Sequence, residues 1–464
     1  MDYRTEKDLL GEKNIPKDVY WGVHTSRAVE NFPLSDLKFD PVLITAYAYI
    51  KKAACLINQD LGFIDKEKGN VISRACDEII SGLHREAFIV DCFSGGAGTS
   101  LNMNLNEVIA NRALVLMGKE PGQYDFISPL EDINLHQSTN DTFPTAIKVA
   151  AMLYLRQLEE VLTELQRTFQ DKEKEFRSIV KIGRTETQAA VPMTLGAEFS
   201  GFAEVFAQDR WRIFKVNERL RMVNLGGTAV GTGLAAPREY IFLVTDKLKE
   251  LTGLNLCRAE NLIYATQNAD SFCEASGILK TLAVDLVKVS RDLRLSAMLG
   301  EINFEPVQAG SSIMPGKVNP VLAEAVIQAG LRCLSNDSTL SHCAAYGTLQ
   351  INEFMPLIAH TLLESLKLLI NAVKILDKAV KPLSANLSNC QASVDVNPVI
   401  MTAFLPELGY DKVLELVKEY SQKEGLGVRT FLNKKLGKEM VDKVLSGENL
   451  TRLGFPLNKK KKNG

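Results

Sequence analysis

Residues 145–182 read TAIKVAAMLYLRQLEEVLTELQRTFQDKEKEFRSIVKI, with neither glycine nor proline. Ala151, Leu155, Leu158, Leu162, Leu165 and Phe169 follow one another at intervals of 4, 3, 4, 3 and 4. That alternation lays all six on one face of a helix, the pattern of a bundle and not of a strand. Phe202–Leu225, Ile278–Leu299 and Leu357–Lys381 are equally free of glycine and proline. Leu279, Leu282, Leu286, Val289 and Leu293 repeat the register, as do Leu362, Leu366, Leu369, Val373, Leu376 and Val380. At about 1.5 Å per residue these stretches predict helices roughly 30 to 50 Å long. The expected fold is therefore all-α, an elongated bundle whose wide apolar faces invite cover from other subunits. Strand signals are sparse. No GxGxxG follows a strand and no GxxxxGK[ST] occurs, which removes Rossmann and P-loop readings.

The rest of the chain agrees with a soluble, divided protein. Its 464 residues suggest roughly three domains at about 150 residues each. Hydrophobic residues make up 46% and charged residues 24%, which excludes whole-chain disorder. Lys plus Arg number 54 against 56 Asp plus Glu, so the net charge of −2 calls for no nucleic acid and no membrane surface. The eight cysteines are scattered without metal-like spacing, and the charged N-terminus lacks an apolar signal core. A reducing cytoplasm with free thiols is expected. No run of 18 apolar residues implies a membrane helix. Boundaries are expected near Gly118–His136 and after Pro382, giving segments 1–135, 136–388 and 389–464. Lys459–Lys462 reads as a solvated basic tail.

Four segments interrupt the helices with glycine and small polar residues. They are Ser94–Asn104, His136–Asp141, Gly183–Gln188 and Gly310–Pro320. Each taken alone also reads as a turn or a helix cap. Together they place hydroxyls, amides and one lysine at the ends of long helices, where free backbone N–H groups favour anions. That donor set suits a dicarboxylate.

Gly310-Ser311-Ser312-Ile313-Met314-Pro315-Gly316-Lys317-Val318-Asn319-Pro320 resembles the signature loop of the aspartase/fumarase superfamily, Gly-Ser-Ser-x-Met-Pro-x-Lys-x-Asn-Pro, at every fixed position. The likeness extends through Tyr20–Thr25, Gly98-Thr99, Ser138–Asn140 and Gly183–Thr185. It implies a three-domain fold with a central bundle of long helices, assembled as a homotetramer around a twenty-helix core. Each active site then draws loops from three subunits. By the same resemblance Ser311 is the general base on a loop that closes over substrate. Lys317 and Asn319 hold one carboxylate. Thr99, Ser138, Thr139 and Ser312 hold the other, and Asn140 and Thr185 reach the leaving group. The aci-carboxylate formed when a proton leaves the carbon beside a carboxylate is a dianion and needs dense hydrogen bonding. A serine base needs its alkoxide stabilised by backbone N–H groups and positive charge. No cofactor is required. Some members of the family are activated by a divalent cation at a separate site, but no ligand cluster here predicts one.

The leaving group varies within the superfamily. Gly98–Asn104, Ser138-Thr139-Asn140 and His24 resemble the members that release ammonia from L-aspartate to give fumarate. Class II fumarases are the nearest rival, followed by argininosuccinate and adenylosuccinate lyases and by inert scaffolds of the same fold. One departure stands out. Glu186 occupies the place where the family has His or Gln, and Ala189 follows Gln188 where the family has Asp. Two unit negative charges about 4 Å apart repel by roughly 4 kcal/mol at an effective dielectric of 20. Glu186 is therefore expected to face a cation, such as the ammonium of an amino substrate, to be protonated, or to turn away and pair with Arg184 or a neighbouring subunit.

Overall fold

A computed structural model describes residues 2–451, apart from 424, together with 454. Lys459–Lys462 lies outside the described residues. Helices dominate. In chain order the principal elements are β1 (Tyr3–Asp8), β2 (Gly11–Pro16), α1 (Val23–Asn31), α2 (Pro41–Asp60), α3 (Lys66–Ile80), α4 (Thr99–Leu116), α5 (Thr139–Glu175), β3 (Val180–Thr185), β4 (Gln188–Thr194) and α6 (Leu195–Leu220). There follow α7 (Arg238–Thr252), α8 (Leu262–Gln267), α9 (Asp270–Met298), α10 (Val321–Ala345), α11 (Met355–Val380) and α12 (Leu387–Val396). The short helices α13 (Leu405–Leu408), α14 (Tyr410–Tyr420), α15 (Val428–Leu436) and α16 (Lys438–Val444) come last among those used below.

The chain divides into two compact units. Unit one comprises Met1–Glu160, Trp211–Ala283 and Gly330–Ile370; unit two comprises Val161–Arg210, Val284–Ala329 and Asn371–Gly464. The apolar register read from the sequence is the buried face of the long helices. Ala151, Leu155, Leu158, Leu162, Leu165 and Phe169 are all fully buried, as are Leu366, Leu369, Val373, Leu376 and Val380. The helix ends differ from the sequence windows. α5 begins at Thr139, with Pro144 inside it, and stops at Glu175, so that Val180–Ile182 belongs to a strand. α10 contains Gly330 and escapes a search for glycine-free stretches.

In unit one, α2 packs on α3 and α7, and α3 on α4. The buried Glu107 carboxylate of α4 accepts the N–H groups of Gly22 (2.8 Å), His24 (2.7 Å) and Thr25 (3.2 Å), which seats the start of α1. A side chain at Gly22 would stand 2.4 Å from Glu6 Oε2 and 2.9 Å from the Glu107 carboxylate, so it would have to displace the two carboxylates that bond this turn.

In unit two, Phe169 of α5 stacks on Phe206 of α6 at 5.4 Å, and Phe199 and Phe202 complete the cluster. The β3–β4 hairpin is antiparallel and rests on α12 and on the turn Pro398–Phe404. There Ile182 joins a core with Val394, Ile400, Phe404, Val428, Phe431 and Leu432. The C-terminal helices thus form the base on which the hairpin stands. Met355–Val380 is long and apolar enough to span a membrane by length and composition, yet 67% of its apolar window is buried within the fold.

Candidate active site

Four loops carry the residues singled out in the sequence. Two belong to unit one. Thr99 is the first residue of α4, entered from Gly98 at φ 95°, where a side chain would meet the Phe143 ring at 2.3 Å. Its hydroxyl donates to Gly96 O at 2.7 Å. Thr139 opens α5, directly after Ser138. Both helix starts present backbone N–H groups that lack helical partners, a setting suited to an anion.

The segment before α5 is tightly held. Ser138 Oγ accepts the Asn140 N–H at 3.2 Å, and Asp141 Oδ1 accepts the Ser138 N–H at 3.0 Å, the reciprocal form of a capping box. Pro144 has no N–H to give to Asn140 O four residues earlier. Asn224 Nδ2 supplies that bond instead, at 2.9 Å. Asn102 Nδ2 donates to Thr139 Oγ1 at 2.9 Å, so the Thr139 proton is left to be given outward. Asn102 lies one turn after Thr99 on α4, which brings the Thr99 and Thr139 positions into one neighbourhood. Behind them Lys51 Nζ donates to Asn134 Oδ1 and Gln137 Oε1, each at 3.0 Å. Burial pushes the Lys51 ammonium down to about 7. Burial also raises the Asp141 carboxyl to about 6, against the N–H groups of Ser138, Thr228 and Gly226, which favour its charged form.

Lys51 and Asn134 had no place in the sequence reading, and Asn102 and Asp141 entered it only as members of their loops. Ser138-x-x-Asp141 is itself a capping-box pattern and could have flagged the last of them. A second omission is Gly226–Gly233, with four glycines in eight residues. This loop lies against Asn140, whose Nδ2 donates to Ala229 O at 2.7 Å. Thr228 adopts φ 54°, and its buried hydroxyl has no hydrogen-bond partner.

The other two loops belong to unit two. Thr185 and Glu186 sit at the tip of the β3–β4 hairpin. Glu186 (φ 50°) and Thr187 (φ 66°) form a two-residue turn with both centres left-handed, a geometry that favours Asn-Gly. Arg184 does not pair with Glu186. Its Nη1 lies 2.6 Å from Glu301 Oε1, while Lys181 Nζ takes Glu301 Oε2 at 2.6 Å and Glu198 at 2.8 Å. Glu301 is 1% exposed, so this buried network anchors the hairpin and leaves the Glu186 carboxylate exposed at its tip.

Ser311 lies in the loop before α10. Its Oγ accepts the N–H groups of Ile313 (3.2 Å) and Met314 (3.0 Å). The oxygen is thereby supplied with the donors an alkoxide needs, and its own proton remains to be lost. Gly310 N–H donates to Lys317 O at 2.8 Å, and Asn319 Nδ2 donates to Gly310 O at 3.0 Å, closing the loop. Ser312 and Lys317 are exposed. Among the described residues the Lys317 ammonium has no carboxylate within ion-pair distance. A cavity of about 680 Å³ opens beside Val318 and Asn319, lined also by Arg291 and Arg294. The arrangement combines a serine oxygen in a donor nest, a free ammonium and amide donors, which suits proton abstraction beside a carboxylate.

Residues 11–334 match the family described as Lyase. The aspartate ammonia-lyase of Bacillus sp is 42% identical over 461 residues, covering 98% of each chain. That of Escherichia coli (strain K12) is 41% identical over 458 residues, covering 96% of each. Among solved structures, fumarate lyase:delta crystallin from Brucella melitensis bound to cobalt superposes with a TM-score of 0.93 at 42% identity, covering 98% of this chain and 100% of that one. The class II fumarase of Schistosoma mansoni gives 0.89 at 31% identity, covering 96% and 98%.

Proposed function

This chain belongs to the aspartase/fumarase family of lyases, and from that premise we propose that it converts L-aspartate to fumarate and ammonia, reversibly, with Ser311 as the base. The observation that carries the substrate is the 42% identity to an aspartate ammonia-lyase over 98% of both chains. Hydration of fumarate to malate is the weaker reading, since the fumarase neighbour shares 31%.

In this proposal the deprotonated Ser311 oxygen takes a proton from Cβ of L-aspartate and becomes the neutral hydroxyl. The C–H electron pair moves into the adjacent carboxylate, giving an aci-carboxylate dianion. That pair then returns to form the double bond while the C–N pair leaves with nitrogen as ammonia. The Ile313 and Met314 N–H groups favour the deprotonated serine. Lys317 and Asn319 hold one carboxylate; Thr99, Ser138, Thr139 and Ser312 hold the other. Asn140 and Thr185 serve the amino group, and Glu186 offers its exposed carboxylate to the α-ammonium.

The proposal further assigns the chain to a homotetramer in which loops of three subunits complete each site. Segments 1–135, 136–388 and 389–464 are its N-terminal, mostly helical domain, its central long-helix bundle and its small C-terminal helical domain. The eight free cysteines support a cytoplasmic setting. The test is to follow fumarate by its ultraviolet absorbance with L-aspartate and then L-malate. Fumarate and ammonia from L-aspartate are expected. Fumarate from L-malate alone would overturn the proposal in favour of a hydratase.

A further inference from the structure

We infer that Asp141 is a positioning residue for this elimination: it clamps the Ser138–Asn140 segment to the Gly226–Ala229 loop and so fixes Asn140 for the departing amino group. The inference rests on the proposed function and adds a residue that touches no substrate.

The geometry is specific. Asp141 is 0% exposed. Its Oδ1 accepts the Ser138 N–H at 3.0 Å. Its Oδ2 accepts two N–H groups of the other loop, from Gly226 at 3.1 Å and Thr228 at 3.0 Å. Around this clamp Asn140 is gripped from both ends. Its carbonyl takes Asn224 Nδ2 at 2.9 Å, and its own Nδ2 reaches Ala229 O at 2.7 Å. One Asn140 amide hydrogen is thus engaged, and the second remains for a ligand. Thr228 holds a left-handed backbone that a β-branched residue seldom adopts, and its N–H bond to Asp141 helps hold it there.

A carboxylate with two oxygens can serve three N–H donors; the neutral acid serves them poorly, because one oxygen carries a proton. The charged and titratable groups facing Asp141 are Lys51 and Tyr47 on α2 and Tyr240 on α7. Lys51 favours the carboxylate, whereas burial disfavours it and brings the group to about 6. The folded-state value is thus raised above the ordinary one. Folding stability from this group is therefore full below the ordinary carboxylate range and declines as pH rises to about 6. Acidification across that range slackens the clamp without costing stability through Asp141. A merely structural residue would not separate activity from stability in this way.

The test compares the parent chain with Asp141→Asn on L-aspartate from pH 5 to 8. The variant buries no charge but offers one acceptor oxygen fewer, two effects of opposite sign on stability, so its thermal midpoint is measured beside its turnover to ensure that folded protein is compared. Its kcat should fall by about 100-fold, the scale of a misplacement near 1 Å, and the parent's loss of kcat below about pH 6 should vanish from its profile. Amide hydrogen exchange on the unmodified chain supplies a second measurement. Corrected for intrinsic rates, Gly226 and Thr228 should lose protection at pH 5 relative to pH 7.5, on the two sides of about 6. Undiminished turnover in the variant, an acid limb that persists in it, or unchanged protection would each overturn the inference. A parent that makes no fumarate from L-aspartate overturns the proposed function as well, so the two failures are distinguishable.

Discussion

The segment before α5 and the loop before α10 carry the same kinds of side chain on opposite footings. Ser138, Thr139 and Asn140 are fixed from outside: Asp141, Asn224, Asn102 and the Gly226–Ala229 loop all bond to them. Among the described residues the hydrogen bonds of residues 310–319 run within their own loop or to Val321 at the start of α10. Thr139 is buried, whereas Ser312 to Val318 are exposed. The first segment is preorganised, as the carboxylate receptor proposed for it requires. The second holds Ser311, the base of the proposed reaction, in a loop whose own N–H groups bond the serine oxygen. Stability differs along the chain, and closing elements are drawn from its weaker end.

The largest effect expected from this contrast is on Ser311. Ser311→Ala removes the group proposed to take the proton and should lower kcat by about 10²- to 10⁴-fold, the range of general-base catalysis. The KM for L-aspartate should change little, because the receptor segment is untouched. Steady-state kinetics on purified protein decide it. A loss in KM with kcat preserved would reverse the roles of the two loops.

Lys317 comes next. Its ammonium is exposed and unpaired, so its proposed charge-assisted bond to a carboxylate is the strongest single contact the loop offers. Lys317→Met should cost about 1.5 to 3 kcal/mol, or roughly 10- to 150-fold in kcat/KM. Thermal stability should be unchanged, since no partner is orphaned. A variant that loses stability and keeps kcat/KM would make Lys317 a structural residue of the loop.

Much of this contrast was legible in the sequence, but unevenly. The long helices were, because a 3,4 apolar register has one physical solution: Ala151 through Phe169 are the residues that the fold buries. That Ser311, Lys317 and Asn319 share one short loop was legible too, while the roles proposed for them rest on the resemblance of that loop to the family signature. The end of α5 was not. Gly196 brings α6 so close that a side chain there would meet the Arg177 backbone at 2.6 Å, a tertiary constraint with no local signature. The start of α5 was hidden by Pro144, whose cost is offset by Asn224, eighty residues later (224 − 144). Lys51, Asn102 and Asn134 escaped for the same reason. Their bonds to one another span 32 and 83 positions along the chain, and neither amide nor ammonium announces a partner at that distance.

The smallest effect, and the one that sharpens the contrast most, concerns Glu186. It stands in neither loop, at the tip of a hairpin that the Lys181–Glu301–Arg184 network anchors from below. Its left-handed backbone, followed by another at Thr187, is a conformation that non-glycine residues adopt at a cost and keep where the surroundings over-determine it. Because Arg184 is held by Glu301, the carboxylate is available to a cation from outside the hairpin. An exposed ion pair contributes up to about 1 kcal/mol. Glu186→Gln should therefore raise the KM for L-aspartate by no more than about five-fold at pH 7, leaving kcat nearly as it was. The effect should shrink in high salt, as the Debye length falls from about 8 Å at physiological ionic strength to about 3 Å at 1 M and an exposed pair is screened. Inhibition by a dicarboxylate that lacks the amino group should instead strengthen in the variant, since a repulsive charge has gone. If KM for L-aspartate and inhibition by the amine-free dicarboxylate both stay at parental values, Glu186 is a turn residue. Recognition of the amino group then falls to Asn140 and the clamp behind it.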